Sequence, residues 1–330
     1  MKYMIAGLGS IGRRHFRNLL ELGERDILLY RTQRSSLPDD ELAGFPVEID
    51  LETALGRHPE AVIVSNPTAL HLDVAIPAAE AGCNILLEKP VSHTMEGVDR
   101  LELALRRGGG RLLMGFHFRF HPTLRKAANL IQAGSLGKLL SVHSHWGDYL
   151  PDWHPWEDFR QGYSARPDLG GGVVLTLSHP FDYLRFLIGE VEDLWAFTSS
   201  QGFGLQVEDT AEIGLRFFNG VIGGLHLDYN QRPPGHYLEI IGTQGSLRWD
   251  NSDGSLDFYC SDSQTWERFS PPADFERNHM FLDEMRHFLR LIQGGSESYC
   301  TLQDGRQALR LSLAALQSAR QGSLIKLETE

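Results

Sequence analysis

The sequence predicts an α/β domain on a doubly wound parallel sheet, followed by an α+β domain with a large, mainly antiparallel open sheet. Three observations carry this. Short apolar runs alternate with helix-like segments as far as Gly115. A glycine-rich turn, Gly7-Leu8-Gly9-Ser10-Ile11-Gly12, separates the first strand from the first helix. Beyond Phe120, long alternating strands and hairpin turns replace that rhythm.

In order, Lys2–Ala6 reads as a strand and Ile11–Leu22 as a helix with Ile11, His15 and Leu19 on one face. Gly23 can end that helix, because glycine tolerates the left-handed conformation. Asp26–Tyr30, Pro46–Ile49, Ala61–Ser65, Asn84–Leu87 and Arg111–Gly115 read as further strands. Between them lie a helix capped by Thr68 and ending near Gly82, and a helix over Met95–Arg107. Such alternation implies a parallel sheet covered on both faces. After the helix Leu124–Gln132, Leu139–Tyr149 alternates, with Val142, Ser144 and Trp146 on one face and His143 and His145 on the other. Ala211–Phe218 and Val221–Asn230 flank Asn219-Gly220, a hairpin turn expected to place both residues at positive φ. Tyr237–Ile241, Ser246–Asp250 and Ser255–Cys260 continue an antiparallel meander, and apolar residues at helical spacing mark Arg277–Ile292 and Asp304–Arg320. The expected domains are residues 1–120, holding a dinucleotide, and 121–330, holding a substrate and a partner subunit.

The chain has 330 residues, a formal net charge of −12, 42% hydrophobic and 22% charged residues. That composition excludes disorder. The acidity argues against a nucleic-acid surface, and no run reaches the ~18–20 apolar residues of a membrane span. Met1–Gly7 is too short for a signal-peptide core, and Cys83, Cys260 and Cys300 form no CxxC, so a cytoplasmic location is expected.

The glycine turn is GxGxxG in the context that makes it informative, after a strand and opening a helix. Gly7 allows the turn, Gly9 lets backbone approach a pyrophosphate, and Gly12 lets helix pack on sheet. Ser10 and Ile11 open the helix, whose N-terminus offers N–H groups to phosphate. This is the Rossmann arrangement for a nicotinamide dinucleotide. An NAD site carries an acid at the end of the second strand, roughly 20 residues on. Here that strand ends Tyr30-Arg31-Thr32-Gln33-Arg34-Ser35, with no acid. Arg31 and Arg34 can pair with a 2′-phosphate, and Thr32 or Ser35 can hydrogen-bond it, so NADP(H) is favoured over NAD(H).

Glu88-Lys89-Pro90 follows a strand and so lies at the carboxyl edge of the sheet, where ligands bind in this fold class. Ser65-Asn66-Pro67-Thr68 with His71 follows the preceding strand. Phe118-Arg119-Phe120-His121-Pro122 stands near the change of pattern, and Leu169-Gly170-Gly171-Gly172 precedes His179 and Asp182.

Together these motifs resemble the glucose–fructose oxidoreductase / inositol dehydrogenase / rhizopine-catabolism family over nearly the whole chain. The resemblance implies a nicotinamide-dependent oxidoreductase acting on a sugar, polyol or nucleotide-sugar hydroxyl. It implies a cis Lys89–Pro90 peptide, cofactor contacts from Ser65, Asn66, Pro67, His71, Glu88, Lys89 and Pro90, and His179 as general acid/base beside Lys89. Histidine suits proton transfer near neutral pH, and a charged Lys89 would stabilise a developing alkoxide. Relatives often carry an Asp three or four positions before this His. Here those positions are Leu175 and Thr176, so either Asp182, one turn on, orients His179, or the reaction uses Lys89 and His179 alone. Thr176 is then left as a substrate contact.

Asp148–Trp156, rich in aromatics and containing Trp153 and His154, leads through Tyr163 and Arg166 to the glycine triplet. It reads equally as a substrate-covering loop or a subunit interface. Arg119 and Arg166 would suit an anionic substrate. The pairs His143/His145 and His117/His121 lack a third ligand at metal spacing, so no metal is expected. Two further functions stay open: a non-catalytic dinucleotide-binding sensor, and an enzyme using bound NAD(P) transiently without net redox. The apolar alternate face of the later strands predicts a homodimer or homotetramer through the open sheet.

Overall fold

The computed structural model describes residues 1–32, 37–295 and 297–328. Two compact units divide the chain: Met1–His117 with Asp168–Gly170 and Arg277–Leu309, and Phe118–Pro167 with Gly171–Glu276 and Arg310–Glu330.

In the first unit the chain runs β1 (Tyr3–Ala6), α1 (Ser10–Glu21), β2 (Ile27–Tyr30), β3 (Val47–Glu48), α2 (Leu51–Leu55), β4 (Ala61–Val64), α3 (His71–Glu80), β5 (Asn84–Glu88), α4 (Val98–Gly108) and β6 (Leu112–Gly115). The strands form one parallel sheet in the order β3-β2-β1-β4-β5-β6, the doubly wound fold expected. Strand order reverses between β1 and β4, so the Gly7 turn and Ser65 emerge side by side at the switch point. All residues of β1 and β4 are buried, which is why both read as continuous apolar runs. Thr68 does not cap α3. It belongs to a 3-10 turn, Thr68–Leu70, and packs against Gly170.

The late helix α8 (Arg277–Ile292, after the strands of the second unit) also belongs here, unlike in a division after residue 120. Its stripe of Met280, Phe281, Met285 and Phe288 is buried, and it lies on α1. The Arg14 guanidinium sits 4.7 Å over the Phe281 ring, and Asn278 Nδ2 donates to Asn18 Oδ1 at 2.9 Å. A periodic stripe states that a helix is half-buried; it does not name the surface that buries it.

The second unit contains α5 (Pro122–Gln132), β7 (Leu139–Gly147), α6 (Val173–Thr176), α7 (His179–Ile188), β8 (Val191–Ser199), β9 (Thr210–Phe217), β10 (Ile222–Asp228), β11 (Gly235–Gly242), β12 (Gly245–Asp250), β13 (Ser255–Cys260), β14 (Thr265–Phe269) and β15 (Ile325–Lys326). The helix α9 (Leu302–Gln321) begins in the first unit and ends in this one. The strands form one sheet ordered β14-β13-β12-β11-β7-β10-β9-β8-β15, with a single parallel pair, β7–β10. The antiparallel character is as expected, but β7 stands between β10 and β11, so the strands do not form a simple meander. Strands β8, β14 and β15 were not legible in the pattern. At the β9–β10 turn only Gly220 has positive φ (85°). Asn219 instead uses its side chain, donating to Ile188 O and accepting from Val221 N.

Helices α5 and α7 pack together in this unit, and α5 reaches β12 and β13. Trp249 of β12 is buried and donates its indole N–H to Thr123 of α5 at 3.1 Å. Alternate positions expose Trp195, Phe197, Ile222, Tyr237 and Trp266. No helix among the described residues is long and apolar enough to cross a membrane.

Candidate active site

In the first unit the glycine turn is built by close approach. Gly7 has φ 90°, and a Cβ there would stand 2.5 Å from Asn66 N. A Cβ on Gly12 would stand 2.0 Å from Gly7 O and 2.7 Å from Ser65 Oγ. Only glycine lets α1 meet the sheet here. Gly9 differs: its φ of −72° suits any residue, and a Cβ would meet nothing within 4 Å. The space above Gly9 is therefore open. Intrahelical bonding starts with Arg13 N–H to Gly9 O at 3.0 Å, so the N–H groups of Ser10, Ile11 and Gly12 have no intrahelical acceptor. The first turn carries no acid. An open glycine cradle at an uncapped twelve-residue helix fits the phosphates of a dinucleotide.

Beside it, Ser65 Oγ donates to Ala6 O and Gly7 O at 3.1 and 3.0 Å, holding the ends of β4 and β1 together. Asn66 Nδ2 donates to Leu70 O at 2.7 Å, folding the Asn66-Pro67 segment back onto α3. His71 bridges the two strand ends: Nδ1 is 2.8 Å from Pro90 O and Nε2 is 2.9 Å from Asn66 O. Only an imidazolium could donate to both carbonyls. Burial opposes that charge and lowers the His71 pKa despite both backbone oxygens and Glu88.

The Lys89–Pro90 peptide is cis, as the resemblance implied. Burial pushes the Lys89 ammonium down to about 8; Glu88 opposes this and Arg277 adds to it. Glu88 lies beneath, with His15 Nε2 2.7 Å from Oε1 and the Lys89 backbone N–H donating to Oε2 at 3.2 Å.

At the far end of β2, Arg31 is not a bare cation. Its Nη1 donates to Asp39 Oδ1 at 2.7 Å, and Arg13 donates to the same oxygen at 3.1 Å. Both guanidinium groups, Arg31 first, hold the Asp39 carboxyl below its usual range. The Arg31 Nε–H is buried without an acceptor among the described residues. Thr32 follows at the strand end, while Arg34 and Ser35 lie outside the described residues.

In the second unit His179 opens α7 and is buried. Its ring lies 5.9 Å from Trp146, nearly parallel, and 5.1 Å edge-on from Phe118. Trp146 stacks on its other neighbour, His236, at 4.3 Å and 2°. His236 Nε2 is 3.2 Å from the Tyr183 hydroxyl, which is 2.6 Å from Ser144 Oγ. This stack went unforeseen. Only the inward phase of β7 hinted at Trp146, and nothing local marked His236 or Tyr183.

Asp182, expected to orient His179, receives Arg119 on both oxygens, at 2.9 and 2.7 Å. Both side chains are buried, so the pair has little net charge to offer an anion. One turn of helix puts Asp182 and His179 on a common face, and the buried guanidinium of Arg119 comes to that carboxylate from another segment. Thr176 is buried, and the Tyr229 hydroxyl donates to Ser164 O at 3.3 Å. Trp153 packs edge-on against Tyr229 at 5.5 Å, and His154 lies 5.0 Å from Trp156. The Trp153 indole N–H and His154 Nδ1 are buried and unpartnered. Tyr163 and Arg166 form the turn ahead of the glycines: Arg166 N–H donates to Tyr163 O, and Gly171 N–H to Arg166 O. His145 stacks on His226 at 4.5 Å and 11°, with Asp228 close by. Rings so nearly parallel aim their nitrogen lone pairs side by side and not at one point.

Residues 1–116 match a family described as an oxidoreductase family with an NAD-binding Rossmann fold, and residues 124–248 match the GFO/IDH/MocA C-terminal domain. The chain is 28% identical to myo-inositol 2-dehydrogenase of Thermotoga maritima, covering 99% of each chain. It is 25% identical to D-xylose 1-dehydrogenase (NADP(+)) 2 of Haloferax volcanii, over 99% of this chain and 100% of that one. Among solved structures, levoglucosan dehydrogenase in complex with NADH and levoglucosan superposes with a TM-score of 0.85 at 20% identity, covering 100% of both. The protein belongs to the GFO/IDH/MocA family of NAD(P)-dependent oxidoreductases.

Proposed function

We propose that the protein transfers a hydride between a nicotinamide cofactor and the hydroxyl or keto carbon of a sugar, polyol or nucleotide-sugar, with Lys89 and His179 as its catalytic pair. One observation carries the reading: Lys89 stands at the carboxyl end of β5, its ammonium pushed down to about 8. A lysine so tuned can hold a hydroxyl and balance an alkoxide at neutral pH. His179 takes the hydroxyl proton. A bound nicotinamide supplies the hydride acceptor. Gly7, Gly9, Ser10, Ile11 and Gly12 hold its phosphates, and Ser65, Asn66, Pro67, His71, Glu88 and Pro90 shape the wall beside it.

Trp153, His154, Tyr163, Arg166 and Thr176 are proposed to meet the substrate. The unpartnered indole N–H of Trp153 and Nδ1 of His154 favour a hydroxylated ligand that supplies their hydrogen bonds. Arg119 and Asp182 hold each other in this reading, and the phosphate preference rests on Arg31 and Thr32. NADP(H) binds there if its 2′-phosphate displaces Asp39 from Arg31. Lys89→Ala and His179→Ala are each expected to lower kcat by at least ~100-fold. Near-wild-type turnover in steady-state assays of either variant would remove that residue from the pair.

A further inference from the structure

Beneath the Lys89 loop the first unit buries three ionisable groups, of which His15 and Glu284 have no part in the proposed hydride transfer. His15 of α1 and Glu284 of α8 have no exposed surface, and Glu88 at the end of β5 is 6% exposed. One ligand atom from each lies within 4.8 Å of the other two. His15 and Glu88 are joined at 2.7 Å. Among the described residues neither oxygen of Glu284 has a hydrogen-bond partner, and His15 Nδ1 has none.

Two carboxyl groups this close inside a protein cannot both stay bare anions, because neither solvent nor a hydrogen-bond donor reaches the Glu284 oxygens. Either a cation or a proton must intervene. The surroundings argue against a metal ion: Arg14 from α1, Lys89 after β5 and Arg277 from α8 all act on this region. Its remaining titratable neighbours are His117, after β6, and His71 of α3, both held towards the neutral form by burial. A proton adds no new ion and turns Glu284 into the donor the cluster lacks.

We propose that Glu284, through a proton held on its carboxyl, completes a His15–Glu88–Glu284 hydrogen-bonded cluster that positions Lys89. The inference rests on the reading of Lys89 as catalytic. Glu88 is the link: one oxygen faces His15, and the other receives the Lys89 backbone N–H. Burial, then the Glu88 charge, push the Glu284 carboxyl well above its ordinary 4.5, in keeping with this arrangement. His15, Glu88 and Glu284 are thus positioning residues.

The test reads Lys89 directly. The chain has five lysines, so amine labelling across pH with peptide mapping isolates the Lys89 midpoint in the full-length protein without turnover. Glu88→Gln should lower that midpoint by roughly one unit or more, as expected for loss of a neighbouring anion. Glu284→Leu removes the donor, loosens the loop and should raise it by about one unit, whereas Glu284→Gln, which still donates, should hold it within ~0.3 unit. An unmoved midpoint in Glu284→Leu, equal shifts in the Leu and Gln variants, or a stoichiometric divalent ion in the purified protein would each overturn the proposal.

If Glu284→Leu does not fold, stability against pH serves instead. A carboxyl with a raised folded pKa gives its full contribution below about 4.5 and loses it as pH rises towards the folded value. Wild type should therefore lose ground to Glu284→Gln with rising pH, and parallel profiles would refute the shared proton. Should Lys89→Ala keep its turnover while the midpoints move as stated, the catalytic reading fails and the cluster stands.

Discussion

The glycine turn allows two superficially alike substitutions to be separated by the space around them. Gly12→Ala places a Cβ 2.0 Å from Gly7 O and 3.0 Å from Gly7 C, both backbone atoms that cannot swing aside. Either α1 lifts from the sheet or the turn distorts, and overpacking of this kind costs about 1–3 kcal/mol, with a backbone clash at the upper end. Gly9→Ala meets nothing within 4 Å and needs no change of φ. Its stability should stay within about 0.5 kcal/mol of wild type or rise slightly, because alanine restricts the unfolded chain. The added methyl does, however, fill the open space over the helix N-terminus. Dinucleotide affinity should fall at least ~10-fold, about 1.4 kcal/mol. Urea unfolding followed by tryptophan fluorescence gives the first quantity, and titration with NADPH and NADH gives the second. Wild-type affinity in Gly9→Ala would refute the cradle as the phosphate site. Wild-type stability in Gly12→Ala would refute the packing argument.

Cofactor choice can be read from the Arg31–Asp39 pair: Asp39→Asn should strengthen NADPH binding and Arg31→Ala weaken it, with little change for NADH, and the reverse ranking in fluorescence titration would sink the preference. Asp182→Asn and Arg119→Met each strand a buried partner and should lower unfolding free energy by about 3–5 kcal/mol, whereas Arg119→Met with Asp182→Leu should recover much of it. Losses below about 1 kcal/mol in both single variants would show the pair to be incidental. The exposed face carrying Trp195, Phe197 and Ile222 should bury itself in a dimer or tetramer. Light scattering should then report a multiple of 37.1 kDa that Phe197→Glu reduces, and a monomer in the wild type would exclude it.

Most of the fold was legible because its signals are local. Apolar runs of buried parallel strands, the GxGxxG turn and the alternation of β7 each record one element's own surroundings. Strands β14 and β15 escaped because they are short and lie at the sheet's edges, with β14 largely exposed, so no strict alternation is imposed. Residue types and spacing likewise placed Lys89, the Asn66 segment and the Gly7 turn at strand ends, since these are known positions in a doubly wound sheet once the strands are counted.

Pairings between distant segments were decided elsewhere. Helical spacing puts Asp182 and His179 on one face, and only the tertiary structure brings a bidentate guanidinium from Arg119 to the carboxylate. Arg31 reads as an open cation until the chain returns eight residues later and sets Asp39 upon it. Glu284 looks like one polar residue on an amphipathic helix, and only the packing of α8 in the first unit takes it out of water beside Glu88. Periodicity and turn chemistry thus told which residues are buried and which loops leave the carboxyl ends of the parallel strands. The partner of a buried charge such as Asp182 or Glu284 comes from a segment far along the chain, and that pairing exists only once burial has removed water as the competing partner.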